Sequence, residues 1–86
     1  MNGYTITFAR SARKELEGLP AREVNRIFPR IEALAQQPRP EGCSKLTGAS
    51  GLWRIRIGVY RVIYTIDDDA QIVDIVAVRH RRDAYR

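Results

Sequence analysis

The stretch LWRIRIGVYRVIY, residues 52–64, decides the fold. Large apolar residues recur at every second position on both sides of Gly58, which is the pattern of two half-buried strands joined by a tight turn. Gly58 and Val59 suit a two-residue type II′ turn, because that turn requires glycine at its first central position. The sequence therefore predicts a β-hairpin centred on this pair.

The predicted register sorts the hairpin side chains into two faces. Residues directly opposite each other in an antiparallel pair share a face. One face carries the large apolar residues Trp53, Ile55, Ile57, Tyr60, Val62 and Tyr64. The other carries Arg54, Arg56 and Arg61. Trp53 and Tyr64 could stack on nucleic-acid bases, but their phase assigns them to the core.

The three hairpin arginines place like charges on one face, which stability alone does not explain. Alternate residues on a strand are about 6.6 Å apart and neighbouring strands about 4.8 Å, so these side chains can converge on one point. Two like charges about 6 Å apart cost roughly 2–3 kcal/mol at an effective dielectric near 20. The plain alternative is a solvated face with its arginines splayed into water. The arginine-rich tail that follows the last strand favours an anion site instead.

The residues before the hairpin predict a strand and two helices. Residues 4–8 alternate as a strand, and a helix follows from about Ser11, which we expect to be its N-cap, to Gly18. A second helix is predicted from residues 20–21 to about 37. Pro29 interrupts its apolar stripe without changing the phase, so we expect one kinked helix, with a break into two as the alternative.

The remaining residues predict two more strands around the hairpin. A proline-rich loop contains a short edge strand near residues 45–47. Asp67, Asp68 and Asp69 form a tight turn, and residues 71–78 form an apolar strand that we expect to be central and buried on both faces. The predicted fold is α+β, in the order β-α-α-β-β-β-β. Two N-terminal helices pack on one face of a small, mainly antiparallel twisted sheet, and the arginine face stays open.

The composition limits the class of protein. The 86 residues are 44% hydrophobic, which predicts a single domain over residues 1–86. The formal net charge of +5 suggests an anionic partner such as nucleic acid or an acidic protein. Cys43 is the single cysteine, no Cys/His cluster has zinc spacing, and no stretch has the length of a signal peptide core or membrane span. We therefore expect a cytoplasmic protein with no membrane association.

Four motifs in order carry a family resemblance: K-L-x-G from Lys45, W-R-I-R from Trp53, Y-R-V-I-Y from Tyr60 and H-R-R-x-x-Y from His80. With the two helices before them, they resemble the RelE/ParE toxin superfamily of toxin–antitoxin pairs, whose fold is microbial-RNase-like. In that superfamily the RelE branch consists of endoribonucleases that cut messenger RNA in the ribosomal A site. The ParE branch poisons DNA gyrase and lacks the nuclease residues. This chain resembles the RelE branch.

The resemblance implies cleavage without metal or cofactor, by attack of a 2′-hydroxyl on the adjacent phosphate. It assigns the catalytic positions to Arg54, Arg56, Arg61, Arg81 and Tyr85. Arginine stays protonated and its fork matches phosphate oxygens, so the four arginines suit charge stabilisation. Tyr85 is the candidate general base, although a near-terminal tyrosine is often a packing residue. The general acid stays open among Arg81, His80 and water, because His80 has a suitable pKa but should point toward the helices.

A second set of cations is predicted to hold RNA backbone: Lys45, Arg79, Arg82 and Arg86. Each alone also fits an ordinary solvated charge. The implied partners are a cognate antitoxin and messenger RNA on the ribosome, with operator DNA contacted only through the antitoxin complex. The rival functions are a ParE-type gyrase poison with the same fold and a basic module that binds RNA without cutting it.

Overall fold

The computed structural model describes residues 3–46 and 51–82. The elements in chain order are β1 (Thr5–Phe8), α1 (Arg10–Glu17), α2 (Ala21–Ala33), β2 (Ser44–Lys45), β3 (Leu52–Ile57), β4 (Tyr60–Asp67) and β5 (Ile72–His80). This is the predicted β-α-α-β-β-β-β order of an α+β fold. None of its helices has the length and apolar character needed to cross a membrane, within the part of the chain that the structure describes.

The five strands form one sheet in the order β1-β5-β4-β3-β2. Only β1 and β5 run parallel, so the predicted mainly antiparallel sheet is confirmed. The hairpin register is also confirmed, with Trp53 opposite Tyr64 and Arg56 opposite Arg61. Gly58 has φ +61°, a backbone conformation that glycine adopts without strain. The turn therefore fixes which hairpin residues enter the core.

Both helices pack on the apolar face of the sheet, as predicted. Their buried residues are Ala12, Leu16, Ile27, Ile31 and Leu34. The sheet contributes Ile55, Ile57, Tyr60, Val62, Tyr64, Val73, Ile75 and Val78 to the same cluster. The arginine face of β3 and β4 lies on the other side of the sheet.

The helix boundaries differ from the prediction at two points, the start of α1 and the end of α2, whereas α2 is a single helix as predicted. Ser11 is not the N-cap of α1. The cap is Ala9, because its N–H still donates to the Ile75 carbonyl at 2.8 Å and the chain passes directly from strand pairing into helix. The alternative of two helices is wrong, since α2 continues through Pro29. It ends at Ala33, earlier than predicted.

Strand β5 contains an irregularity that controls its faces. β5 lies between β1 and β4, so it is an inner strand next to β4, the middle strand of the sheet. Ile63 pairs with Ala77 and Tyr64 pairs with Ile75, so Val76 is an extra residue. Val73 and Ile75 are buried on the core face, whereas on the other face Asp74 is half-buried and Arg79 is exposed. The expectation that it is buried on both faces was therefore wrong.

A polar network closes the end of the sheet opposite the hairpin turn. Arg39 donates to both carboxylate oxygens of Asp68, at 3.3 and 2.9 Å, and the Tyr4 hydroxyl donates to Asp68 Oδ1 at 2.7 Å. The Arg39 guanidinium also lies 5.1 Å from the centre of the Trp53 ring. The hydrogen bonds from Arg39 and Tyr4 lower the pKa of Asp68 below its usual value.

We expect Asp68→Asn to lower the melting temperature slightly at neutral pH and to have no effect in strong acid. A carboxylate with a depressed folded-state pKa stabilises the fold above its unfolded pKa, near 3.9, and loses that contribution as the pH falls through the folded value. Thermal unfolding from pH 7 to pH 2 measures the difference between variant and wild type. Asp69→Asn is the control, because Asp69 takes part in no ion pair of residues 3–46 and 51–82. A difference that stays constant down to pH 2 would contradict this account of Asp68.

Candidate functional site

A pocket of about 280 Å³ opens at the hairpin turn. Its lining residues are Arg56, Gly58, Val59, Tyr60, Arg61 and Arg81. Three of the predicted catalytic arginines therefore share one cavity, although Arg81 is 20 residues beyond Arg61 in the chain. A pocket lined by three guanidinium groups suits a ligand with several negatively charged oxygens.

Arg81 reaches the pocket through a backbone contact with the turn. β5 ends at His80, which is opposite Tyr60, and the Arg81 N–H then donates to the Val59 carbonyl at 2.6 Å. This hydrogen bond ties the beginning of the tail to the hairpin. The sequence motif indicated that Arg81 belongs to the site, but the bond that holds it there had no signal in the sequence.

The arginine face continues across three strands. Arg56 is opposite Arg61, and Arg61 is opposite Arg79, so these residues form one row over β3, β4 and β5. Arg61 occupies the middle of the row and is only 8% exposed, although it lines the pocket. A cation surrounded by protein interacts more strongly with a bound anion than a fully solvated one does.

Arg79 is held by a residue that the sequence analysis did not single out. Arg79 Nε lies 2.7 Å from Glu15 Oε2, and Glu15 Oε1 accepts the Val78 N–H at 2.9 Å. β1 ends opposite Ile75, so the edge of β5 beyond that point has no strand partner, and α1 supplies Glu15 instead. The predicted RNA-binding Arg79 is on the arginine face but is ion-paired at the sheet edge.

The other predicted site residues differ in their placement. Arg54 is opposite Ser44 and Ile63 and lies on the arginine face, but it does not line the pocket. Lys45 is opposite Trp53, so the register places it on the other face from Arg54. This pairing does not bring Lys45 to the arginine face. Tyr85 and Arg86 lie outside the described residues.

The ring of His80 is held by contacts with Tyr60 and Arg82. Its ring lies edge-on to the Tyr60 ring, with 5.4 Å between ring centroids, and its Nδ1 accepts the Arg82 N–H at 3.1 Å. His80 pairs with Tyr60 on the core face, as the alternation predicted. The Arg82 side chain is exposed beside it. His80 therefore faces away from the row that contains Arg61.

Trp53 and Tyr64 belong to the core side, as predicted. Tyr64 is completely buried, and its hydroxyl donates to the Pro38 carbonyl at 2.8 Å. Burial raises the pKa of the Tyr64 phenol. Trp53 packs partly buried against the same cluster. Within residues 3–46 and 51–82, no group of three or more His, Cys, Asp or Glu side chains is placed to hold a metal ion.

The fold and sequence match one family of proteins. A family model described as "ParE toxin of type II toxin-antitoxin system, parDE" matches residues 6–85. Toxin RelG of Mycobacterium tuberculosis is 34% identical over 84 residues, which cover 96% of this chain and 97% of RelG. The chain belongs to the RelE/ParE family of toxins. It is thus a toxin of a type II toxin–antitoxin system.

Solved structures support the same assignment. The toxin–antitoxin complex RelBE2 from Mycobacterium tuberculosis contains a chain that superposes with a TM-score of 0.82 at 32% identity, covering 92% of this chain and 99% of that one. The archaeal RelE–RelB complex from Pyrococcus horikoshii gives a TM-score of 0.80 at 28% identity, covering 94% and 97%. The predicted RelE-like α+β fold is confirmed.

Proposed function

We propose that this toxin is a cytoplasmic endoribonuclease that cuts messenger RNA in the ribosomal A site. The observation that carries the proposal is the convergence of Arg56, Arg61 and Arg81 on one pocket. Three guanidinium groups around one pocket attract a ligand with several anionic oxygens, such as the phosphates of RNA. The RelE branch, which the sequence resembles, uses basic residues at these positions to cleave RNA.

The proposed reaction is an internal transfer of the phosphate. The 2′-oxygen attacks the adjacent phosphorus, the bond to the 5′-oxygen of the next nucleotide breaks, and the products carry a 2′,3′-cyclic phosphate and a 5′-hydroxyl. Negative charge on the phosphoryl oxygens must be stabilised in the five-coordinate transition state. Arg56, Arg61 and Arg81 supply permanent charge and directed N–H donors for this purpose. Arg54, on the same face outside the pocket, supports the approaching strand.

Two protons must also move. Tyr85 is our candidate for the general base that takes the 2′-hydroxyl proton, since a phenol brought to the arginine site would have its phenolate form favoured by the positive charges. The leaving 5′-oxygen must gain a proton, for which Arg81 or water are the candidates. His80 has the more suitable ordinary pKa, but it packs against Tyr60 on the core face, which argues against it. Arg79, Arg82 and Arg86 are proposed to hold RNA backbone beside the pocket.

We also propose a cognate antitoxin as protein partner. The matching structures from Mycobacterium tuberculosis and Pyrococcus horikoshii are toxin complexes with their antitoxins. The formal charge of +5 favours an antitoxin with an acidic segment that covers the basic surface. Operator DNA would then be reached only through that antitoxin.

The alternative function is a gyrase poison of the ParE type, which the name of the matching family model favours. Such a toxin shares the fold and basic character but has no use for a phosphate-transfer site. The arginine pocket favours the nuclease, because it concentrates charge where a scissile phosphate would bind.

We expect the purified toxin to cut messenger RNA on ribosomes with a programmed A site and to leave gyrase supercoiling unchanged. Both reactions should be run with the same preparation, and the cut RNA should carry a 2′,3′-cyclic phosphate. A double Arg81→Ala, Tyr85→Phe variant should bind programmed ribosomes and fail to cleave. Inhibition of gyrase without RNA cleavage would replace the nuclease with the ParE-type function. Full cleavage by the double variant would remove these two residues from the site.

A further inference from the structure

Helix α2 carries three exposed arginines at a spacing of four residues: Arg22, Arg26 and Arg30. This spacing keeps them on one side of the helix, about 6 Å apart along its axis. The buried side of α2 contains Ile27 and Ile31. The three arginines, which we call the α2 track, are not among the positions that the family motifs assign to the site.

The track touches the candidate active site at the hairpin turn. A methyl group added to Gly58 would lie 2.7 Å from Arg26 Nη2 and 2.9 Å from Arg26 Cζ, so the guanidinium lies directly against this glycine. Gly58 itself lines the arginine pocket. The positive surface therefore continues from the pocket, across the turn, onto α2.

Contacts among residues 3–46 and 51–82 do not account for the track. Arg26 is paired only loosely with Glu23, at 3.9 Å, and its side chain is 58% exposed. Arg22 and Arg30 take part in no ion pair of residues 3–46 and 51–82. Like charges four residues apart disfavour a helix. An external anion with repeated charges would relieve this repulsion.

The surroundings of the track favour nucleic acid over protein. Phe28, the exposed aromatic residue of α2, stacks on Phe8 with 6.4 Å between ring centroids, on the flank toward α1 and β1. A protein partner would gain an aromatic contact on that flank, whereas the hairpin side offers Val59 as its exposed large apolar residue among those that the structure describes. The Arg26 flank, toward the hairpin, offers cations, and phosphate contacts depend on cations.

We propose that Arg22, Arg26 and Arg30 bind RNA backbone phosphates and extend the binding surface of the arginine pocket. The proposal rests on the nuclease function, because it treats the track as a continuation of that site. The phosphates could belong to the messenger strand or to ribosomal RNA, and the two share the same chemistry. Arg26 also supports the turn through Gly58, so the outer two arginines give the cleaner test.

The test compares Arg22→Ala/Arg30→Ala with Arg10→Ala/Lys14→Ala on α1. Both double variants remove two exposed positive charges from one helix, at a spacing of eight residues in the first and four in the second. Binding of a 2′-O-methyl RNA oligonucleotide, which lacks the attacking hydroxyl, is measured against salt concentration. Loss of two phosphate contacts should reduce the slope of log affinity against log salt by about 1.4. The α1 variant should keep the wild-type slope.

A second measurement identifies the source of the phosphates. The salt dependence of kcat/KM on programmed ribosomes is compared for the same variants. A reduced slope with both the oligonucleotide and ribosomes supports binding of the messenger strand, and a reduced slope with ribosomes alone supports ribosomal RNA. Wild-type slopes of the Arg22→Ala/Arg30→Ala variant in both assays would overturn the proposed role of the track. If the wild-type toxin binds RNA through the track but does not cut messenger RNA, the nuclease proposal is wrong and the RNA-binding role of the track is retained.

Discussion

Replacing Arg81 with alanine is expected to slow cleavage of messenger RNA on programmed ribosomes by about 10²–10³-fold, the usual effect of removing one donor from a transition-state site. Arg81 lines the same pocket as Arg56 and Arg61. Its backbone N–H, which donates to the Val59 carbonyl, is retained in the variant, and its side chain is exposed. The loss should therefore appear in kcat, with little change in thermal stability. Single-turnover cleavage rates at saturating toxin measure it.

Two further variants make this result specific. Arg81→Lys keeps the charge but loses the planar fork, so we expect a rate between those of wild type and Arg81→Ala. Arg10→Ala removes an exposed arginine at the start of α1 and should cleave at the wild-type rate. If Arg81→Ala and Arg10→Ala cleave equally fast, Arg81 is not part of the catalytic machinery.

Replacing Tyr64 with alanine is expected to lower the free energy of unfolding by about 3–5 kcal/mol, the range for removing a buried aromatic ring. Tyr64 is completely buried in the cluster that joins the sheet to both helices. A domain of 86 residues has a total stability of about 4–13 kcal/mol, so this one change removes a large share of it. Urea unfolding followed by Trp53 fluorescence gives the value.

A comparison with Tyr64→Phe separates the ring from its hydroxyl. That variant keeps the packing and loses the hydrogen bond to the Pro38 carbonyl, which should cost about 1 kcal/mol. The phase of the strand assigned Tyr64 to the core and argued against the other role of an aromatic ring in a basic protein, which is stacking on bases. A Tyr64→Ala protein with wild-type stability and weakened RNA binding would support stacking instead of the core role.

The hairpin was predictable in detail because a single turn fixes it. Once Gly58 is assigned to the first central position of the turn, strand alternation determines every partner, including Arg56 with Arg61. The helical stripe through Ile27 and Ile31 was predictable for a similar reason, because burial repeats with the helix period. Both patterns are local, and local patterns can be identified from one sequence.

Features that depend on distant contacts were not predictable. Glu15 and Arg79 are 64 residues apart in sequence, and nothing near either residue indicates their ion pair. Ser11 has the chemistry of an N-cap, but strand pairing through Ala9 moved the helix start. Arg26 reaches Gly58 only because α2 passes over the hairpin. Each of these contacts was set by the packing of separate elements.

The extra residue in β5 lets that one strand serve both the core and the arginine face. Val76 separates the segment that carries Val73 and Ile75 into the core from the segment that carries Arg79 to the arginine face. In a regular strand of the same sequence, Ile75 and Arg79 would share a face, because side chains alternate along a strand. Either the core would lose its apolar residues or the arginine would turn inward. The single extra residue thus gives one strand two phases of alternation, one that seats apolar side chains in the core and one that presents a cation on the opposite face.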